Sequence, residues 1–234
     1  MSRHFSPALF TYLSDLQANN DKVWFDDNRD RYEEVLREPA TRFILDFGPR
    51  LKEISPHFRA DPRKQGGSLF RIYVDRRFKP DAPPYKTHCG IQFRHDEGKD
   101  AHAPGIYLHI EPGASFLGLG SWRPGGKALK AIRASIDEDP AAWTAAAHES
   151  SFAETFDLAG DRLKTQPRGV APDHPMVDDL ARKDFIGVCH LTREEVSADD
   201  FLDTFTAKVR DGAPFLRWLC GAVEVPFRRP PPCR

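Results

Sequence analysis

Apolar residues recur at helical spacing through residues 6–54 and predict three helices there. Ser6 and Pro7 mark the start of the first helix as its N-cap and first-turn proline. The pair Asn19-Asn20 ends that helix, and Asp21 can cap a second one. A third helix is predicted to start at Pro39. Its predicted buried side consists of Phe43, Ile44, Phe47, Leu51 and Ile54.

From His57 onward the apolar period changes to two, which predicts strands at 58–60, 68–78, 86–94, 105–111 and 115–119. In segment 68–78 the alternation predicts a core side of Phe70, Ile72, Val74 and Phe78. The other side carries Arg71, Tyr73, Asp75 and Arg77. Together these segments predict a mostly antiparallel sheet with one apolar face covered by helices and one polar face.

The C-terminal half predicts further helices and one more strand. Residues 118–124 are expected to join a strand to a helix, with Pro124 in the first helical turn. The remaining expectations are a short helix from Pro140, a strand near 163–165, a helix at 173–180, a strand at 185–191, and helices at 197–210 and 213–223. The predicted class is α+β, with N-terminal helices followed by a meander of strands. One domain is expected over residues 1–227, with a disordered Pro-rich tail at 228–234.

Composition limits the function classes. The 234 residues carry a formal net charge of −1, so no global field favours nucleic acid or an anionic membrane. The sequence has neither a secretory signal pattern nor an apolar run of membrane-spanning length. Its four cysteines are far apart and form no zinc-knuckle pair. These features predict a cytoplasmic protein with free thiols.

The basic segment 68–88 is the first candidate site. Arginine forks and lysines there suit a carboxylate or phosphate group. The alternative is a solvated sheet face with ordinary Arg–Asp pairs. The residues predicted to bind the ligand in this segment are Arg71, Tyr73, Asp75, Arg77, Lys79, Tyr85 and Lys86.

His109 and Glu111 form the second candidate, because alternation places both side chains on one sheet face together with Tyr107. They could act as an acid/base pair, and Tyr107 would add a ligand contact. No metal is the primary expectation; the alternative is a metal bound by His88, His109 and Glu111. Cys89 lies nearby and is interpreted as a buried, inert thiol.

Two further positive groups could assist an anion. Arg123 follows the glycines of the 118–124 junction, where exposed N–H groups could face the ligand. Arg168 lies in the loop Pro167-Arg168-Gly169. A purely structural junction and a plain turn are the respective alternatives.

Several of these segments resemble one known family. They are NN-x-x-x-WF at 19–25, FRIYVDRRF at 70–78, PYKT at 84–87, YLHIEPG at 107–113, GLGSW at 118–122 and QPRG at 166–169. The set resembles the bacterial and fungal family called domain of unknown function 2461, over about Phe10 to Leu191. The resemblance implies a single α+β domain and a cytoplasmic protein, and it supplies no activity. Val74 stands where the family pattern usually has arginine.

The sequence therefore predicts a site for an anionic small molecule on the polar sheet face, with catalysis left open. Alternatives on the same face are a single-stranded nucleic-acid binder and a protein-interaction module. No membrane partner is expected. The cofactor, the oligomeric state and the ligand's identity stay undetermined.

Overall fold

The N-terminal helices form where caps and apolar spacing predict them. The structure is a computed structural model that describes residues 4–77, 80–98, 104–165, 167 and 169–228. Helix α1 spans Pro7–Ala18 and helix α2 spans Lys22–Asp27. The Asp21 carboxylate caps α2 by accepting a 3.0 Å hydrogen bond from the backbone N–H of Trp24.

The third helix begins earlier than predicted and is continuous through a widened turn. Helix α3, Arg29–Tyr32, runs through a π-helical stretch, Glu33–Arg37, into α4, Glu38–Ile54. Pro39 therefore does not start a helix. Proline has no N–H and its ring crowds the carbonyl of the preceding turn, and the π-helical stretch directly before it relieves both conflicts. The predicted buried side of α4 is confirmed.

Within the described residues, six strands form one antiparallel sheet in the order β1-β2-β3-β4-β6-β5. The strands are β1, Phe58–Arg59; β2, Cys89–His95; β3, Gly105–Ile110; β4, Phe116–Ser121; β5, Asp157–Ala159; and β6, Phe185–His190. Strands β2, β3 and β4 form the predicted meander. The predicted α+β class is confirmed.

The prediction of a regular strand at 68–78 is wrong. Within 69–73 the pairing is confined to isolated bridges, Leu69 with Ile91 and Tyr73 with Tyr85, and residue 72 lies in a bend. Pro83 and Pro84 in the facing segment have no N–H groups, so a continuous ladder cannot form. The side chains also divide differently: Ile72 is buried, whereas Phe70 packs 5.7 Å from the Tyr107 ring. Phe78 lies outside the described residues.

The helices pack against one side of the sheet, and the hydrophobic core lies between them and the strands. Phe47 of α4 lies 4.8 Å from Phe93 of β2 and 4.9 Å from Phe205. Phe215 lies 4.3 Å from Phe152. The remaining helices are α5, Gly126–Glu138; α6, Pro140–Ala147; α7, Ser151–Thr155; α8, Val177–Leu180; α9, Arg193–Val196; α10, Phe201–Asp211; and α11, Ala213–Ala222.

Several boundaries in this half differ from the sequence predictions. The helix expected at 197–210 begins only at Phe201 and ends at Asp211. Pro124 precedes α5 rather than joining its first turn. The strand expected at 163–165 is absent from the described residues there, and β5 lies earlier, at Asp157–Ala159. The helix expected over 173–180 is confined to Val177–Leu180 because the chain from 171 to 176 forms turns. The tail from 229 to 234 lies outside the described residues.

None of the described helices is long and apolar enough to cross a membrane.

Candidate functional site

The side of the sheet opposite the helical core, here called the open face, carries glycines and polar residues in register. On β2 and β3, Gly90 pairs with His109 and Gln92 pairs with Tyr107. Tyr107 in turn pairs with Gly118 on β4. Paired residues of antiparallel strands project to the same side, so these residues share one surface.

A groove of about 330 Å³ lies on this open face. Its lining includes glycines at 105, 118 and 120. Its walls are aromatic and aliphatic side chains: Phe70, Tyr107, Phe116, Trp122, Ile186 and Val188. Gly120 has φ +121°, and a Cβ there would lie 2.1 Å from the Phe185 carbonyl oxygen, so only glycine fits. The missing side chains give the groove its depth.

At one end of the groove, Tyr107, His109 and Glu111 form a hydrogen-bonded chain. The Tyr107 hydroxyl lies 3.0 Å from His109 Nδ1, and His109 Nε2 lies 2.9 Å from Glu111 Oε2. A Cβ at Gly90 would lie 2.7 Å from the Tyr107 hydroxyl, so glycine leaves this hydroxyl the room it needs. The chain could carry a proton between the groove and Glu111.

His88 joins these three residues to complete what we call the His109 cluster: His88, Tyr107, His109 and Glu111. The His109 ring is stacked between the rings of His88, at 4.4 Å, and Phe116, at 4.9 Å. Cys89 pairs with Ile110 in the β2–β3 register, and the same register continued by one residue sets His88 opposite Glu111. Both lie just beyond the ends of their strands, where side chains can converge.

The electrostatics of the His109 cluster favour a neutral His88. Burial, helped by the neighbouring His109, lowers the pKa of His88 to about 4. In the described part of the chain, no hydrogen bond engages its ring nitrogens, whereas both nitrogens of His109 are engaged. Burial also raises the pKa of the Tyr107 phenol, which therefore stays protonated. Thr87 adds a hydrogen bond to Glu111 Oε1 at 3.3 Å.

Lys86 is a half-buried cation beside the groove wall. Its Nζ lies 5.6 Å from the centre of the Phe70 ring and donates a 2.6 Å hydrogen bond to the Arg71 carbonyl oxygen. Burial lowers its pKa, and Arg71 lowers it further. No carboxylate pairs with Lys86 among the described residues. An anion at this position would therefore relieve its desolvation.

The predicted arginine pair, Arg71 and Arg77, shares a single neighbouring carboxylate, that of Asp75. Arg77 binds Asp75 through Nε at 2.9 Å and Nη2 at 2.6 Å, and Arg71 approaches the same carboxylate at 3.2 Å. The hydrogen bonds from Arg77 hold the pKa of Asp75 far below its usual range. Both guanidinium groups are largely exposed. This arrangement corresponds to the solvated Arg–Asp alternative.

The other predicted site residues are dispersed. Tyr85 is buried and stacks 4.1 Å from Phe25, and Tyr73 packs 5.4 Å from Tyr85, so both face the N-terminal helices. Arg123 lies over the exposed ring of Trp122 at the Trp122 end of the groove. Cys89 is a buried thiol, with its pKa raised to about 12 by burial. Lys79 and Arg168 lie outside the described residues.

Sequence reasoning missed the apolar walls of the groove. Phe70 was assigned to the core, and no role was given to Phe116 or Val188. One signal was present: glycines at 105, 118 and 120 fall in register on adjacent strands. A row of residues without side chains on one face predicts a depression that neighbouring aromatic rings can line.

Comparison with known proteins gave one match. Residues 8–218 match the family model DUF2461, described as a conserved hypothetical protein. Neither the curated proteins nor the solved structures gave a match.

Proposed function

The chain belongs to the DUF2461 family, and we propose that it binds a small organic anion with a flat apolar part on the open face of its sheet. The single observation that carries this proposal is the groove of about 330 Å³, which has aromatic walls and a half-buried ammonium group, Lys86, at one of them. Ligand sites are typically concave and mostly apolar, with a few polar groups that fix orientation.

The apolar part of the ligand would lie on the glycine floor between the aromatic walls. Phe70, Tyr107 and Phe116 line the groove, and Trp122 is 47% exposed beside it. Removing apolar surface from water contributes roughly 25 cal/mol per Å², so a flat ring system would gain most from this shape. Ring faces also favour offset-stacked or edge-on aromatic contacts.

The charged part of the ligand would lie at the Lys86 side. Lys86 is partly desolvated and has no carboxylate partner in the described chain, whereas Arg71 already contacts Asp75. A charge-assisted hydrogen bond to a carboxylate or phosphate oxygen is stronger in such a site than on an open surface. We therefore expect the anion to contact Lys86 rather than Arg71 and Arg77.

The His109 cluster would meet the polar end of the ligand. Tyr107 and Phe116 both line the groove and both contact His109. A hydroxyl linked through an imidazole to a carboxylate is an arrangement suited to proton transfer. If the ligand is a substrate, Tyr107 is the group placed to exchange a proton with it.

Isothermal titration with 2-naphthoate and its neutral analogue 2-naphthamide tests this proposal. The wild type should bind the carboxylate more tightly. Lys86→Gln should lower the affinity for naphthoate by at least about tenfold and leave the affinity for the amide unchanged, because only the charge-assisted contact is lost. Gly118→Leu should weaken both by at least about tenfold, because its side chain fills the groove.

Gly126→Leu is the matched control, because a side chain at Gly126 meets open space outside the groove. A Cβ at Gly118 comes no closer than 3.4 Å to any neighbour outside the adjacent residues, so this variant should fold. Equal naphthoate affinity in wild type and Gly118→Leu would refute a groove ligand.

Single-stranded nucleic acid is a second candidate, favoured by one observation. The exposed Trp122 ring carries the Arg123 guanidinium 5.0 Å from its centre, a pairing that suits base stacking. A salt-sensitive titration of an oligothymidylate, lost in Trp122→Ala, would establish this function instead.

A further inference from the structure

We propose that His88, His109 and Glu111 bind a divalent transition-metal ion of the zinc type on the open face. Two imidazoles and one carboxylate form a common ligand set for zinc and related ions, and three protein donors leave a position for water or a ligand group. This site goes beyond the binding of an organic anion and does not depend on it.

The three donors already converge. One ligand atom from each residue lies within 4.8 Å of the other two. His109 Nε2 and Glu111 Oε2 are 2.9 Å apart. Ligand atoms around one ion at about 2.0–2.2 Å are separated by roughly 3–3.5 Å, so His88, whose ligand atom lies within 4.8 Å of the other two, is the residue that has to move closer.

His88 supplies the observation that a simple His–Glu hydrogen bond does not explain. Its ring is stacked on the His109 ring, with 4.4 Å between the ring centres, and one of its nitrogens lies within 4.8 Å of a Glu111 carboxylate oxygen. No described residue hydrogen-bonds to either ring nitrogen. The nitrogens of His88 are not among the fully buried polar atoms without a partner, so they are accessible and can take up a ligand without first breaking a hydrogen bond to a described residue. A metal ion would satisfy one of them directly.

The surrounding hydrogen bonds have the form of an outer ligand shell. When His109 Nε2 binds a metal, its Nδ1–H can donate to the Tyr107 oxygen, 3.0 Å away. Thr87 holds Glu111 Oε1 at 3.3 Å, which leaves Oε2 toward the histidines. Such partners fix the tautomer of a metal-binding histidine and the orientation of its carboxylate.

Two other histidine–carboxylate pairs have no third donor among the described residues. His174 pairs with Asp137 at 3.1 Å, and His4 pairs with Asp46 at 2.9 Å. Among the described residues, the group of His88, His109 and Glu111 is the one in which three donors meet. His174 therefore provides a matched control.

The test is a titration of the full-length protein, stripped with chelator, with Co²⁺ followed by visible absorption and with Zn²⁺ by competition. The wild type should bind one equivalent and develop d–d bands. The affinity for Co²⁺ should fall by about 100-fold or more in each of His88→Gln, His109→Gln and Glu111→Gln. It should fall by about tenfold in Tyr107→Phe. His174→Gln should bind as the wild type does.

Thermal melts of each variant establish that it is folded before its affinity is compared. Failure of the folded wild type to take up Co²⁺ or Zn²⁺ overturns the proposal without reference to any variant. Wild-type affinity in folded His88→Gln and Glu111→Gln also overturns it, because the ion would then bind elsewhere. The naphthoate titration is a separate measurement, so either proposal can fail alone.

Discussion

The Asp179 cluster, formed by Trp143, His148, Asp179 and Arg182, and the His109 cluster both combine histidine with a carboxylate, and they differ in how the carboxylate is paired. In the Asp179 cluster, the carboxylate accepts from Trp143 Nε1 at 2.7 Å, His148 Nε2 at 2.8 Å and Arg182 Nε at 2.8 Å. Arg182 and Asp179 are both almost fully buried. The charge of the carboxylate is balanced by a guanidinium within the cluster.

In the His109 cluster, Glu111 has histidine and threonine partners but no arginine or lysine within ion-pair distance in the described chain. Among the described residues, none hydrogen-bonds to the ring nitrogens of His88, and the cluster borders an open groove. The Asp179 carboxylate already accepts three hydrogen bonds and is balanced by Arg182, so it has little left to offer a ligand. An incompletely paired cluster at a groove is the one to examine for binding.

The largest expected effect is a difference in unfolding free energy between a variant of the Asp179 cluster and a variant of the His109 cluster. Asp179→Ala should lower the free energy of unfolding by about 3–5 kcal/mol, because it leaves Arg182 buried without its partner. Urea denaturation followed by circular dichroism measures this loss. Glu111→Gln should cost less than about 1.5 kcal/mol, because Glu111 is partly exposed and the amide keeps its shape. Equal losses of unfolding free energy in Asp179→Ala and Glu111→Gln would show that the two clusters do not differ in their contribution to the fold.

The pH dependence of stability should also reveal the structural role of the Asp179 carboxylate. Burial alone would raise the pKa of Asp179, but hydrogen bonds from Arg182, Trp143 and His148 outweigh it and lower the pKa. A carboxyl whose pKa is lowered by folding contributes stability above its unfolded-state pKa of about 3.9, and loses it as pH falls through the folded value. The advantage of wild type over Asp179→Asn should therefore narrow below about pH 4. Urea midpoints between neutral pH and pH 3 measure it, and a constant difference would contradict the assignment.

The smallest expected effect concerns the arginine pair. Because Arg71 is exposed and already contacts Asp75, Arg71→Ala should weaken naphthoate by about threefold or less, well below the effect of Lys86→Gln. The sequence alone predicts Arg71 as an anion contact equivalent to Lys86, so a small effect at Arg71 would separate the two residues. A loss at Arg71 that equals or exceeds the loss at Lys86 would restore the sequence-based interpretation.

Much of the fold was predictable because its signals are local. Capping at Asp21 and the apolar stripe of α4 depend on neighbours within a few residues. The alternation of GIYLHIE correctly placed Tyr107 and His109 on one face of β3. The strand predicted at 68–78 failed because its pairing depends on a facing segment that contains Pro83 and Pro84.

The candidate site was predictable only in part. Alternation alone placed Tyr107, His109 and Glu111 on one side, but their hydrogen-bonded chain requires side-chain geometry. Arg71 and Arg77 are prominent in sequence, yet Asp75 pairs with both, and sequence charge counts cannot tell a paired group from an unpaired one. Lys86 is among the ligand residues predicted from the sequence, but its desolvation is not predictable there because it depends on Phe70 and the neighbouring chain.

By itself, the sequence determined the α+β class, the core side of the central strands and the identity of the polar residues on β3. These follow from period and local chemistry, which each segment carries with it. The tertiary structure decided that glycines on adjacent strands align into a groove, that His88 stacks on His109 opposite Glu111, and that Lys86 is half-buried against Phe70 whereas Arg71 and Arg77 share Asp75. Such properties depend on strand register and desolvation, which exist only once distant segments have packed together.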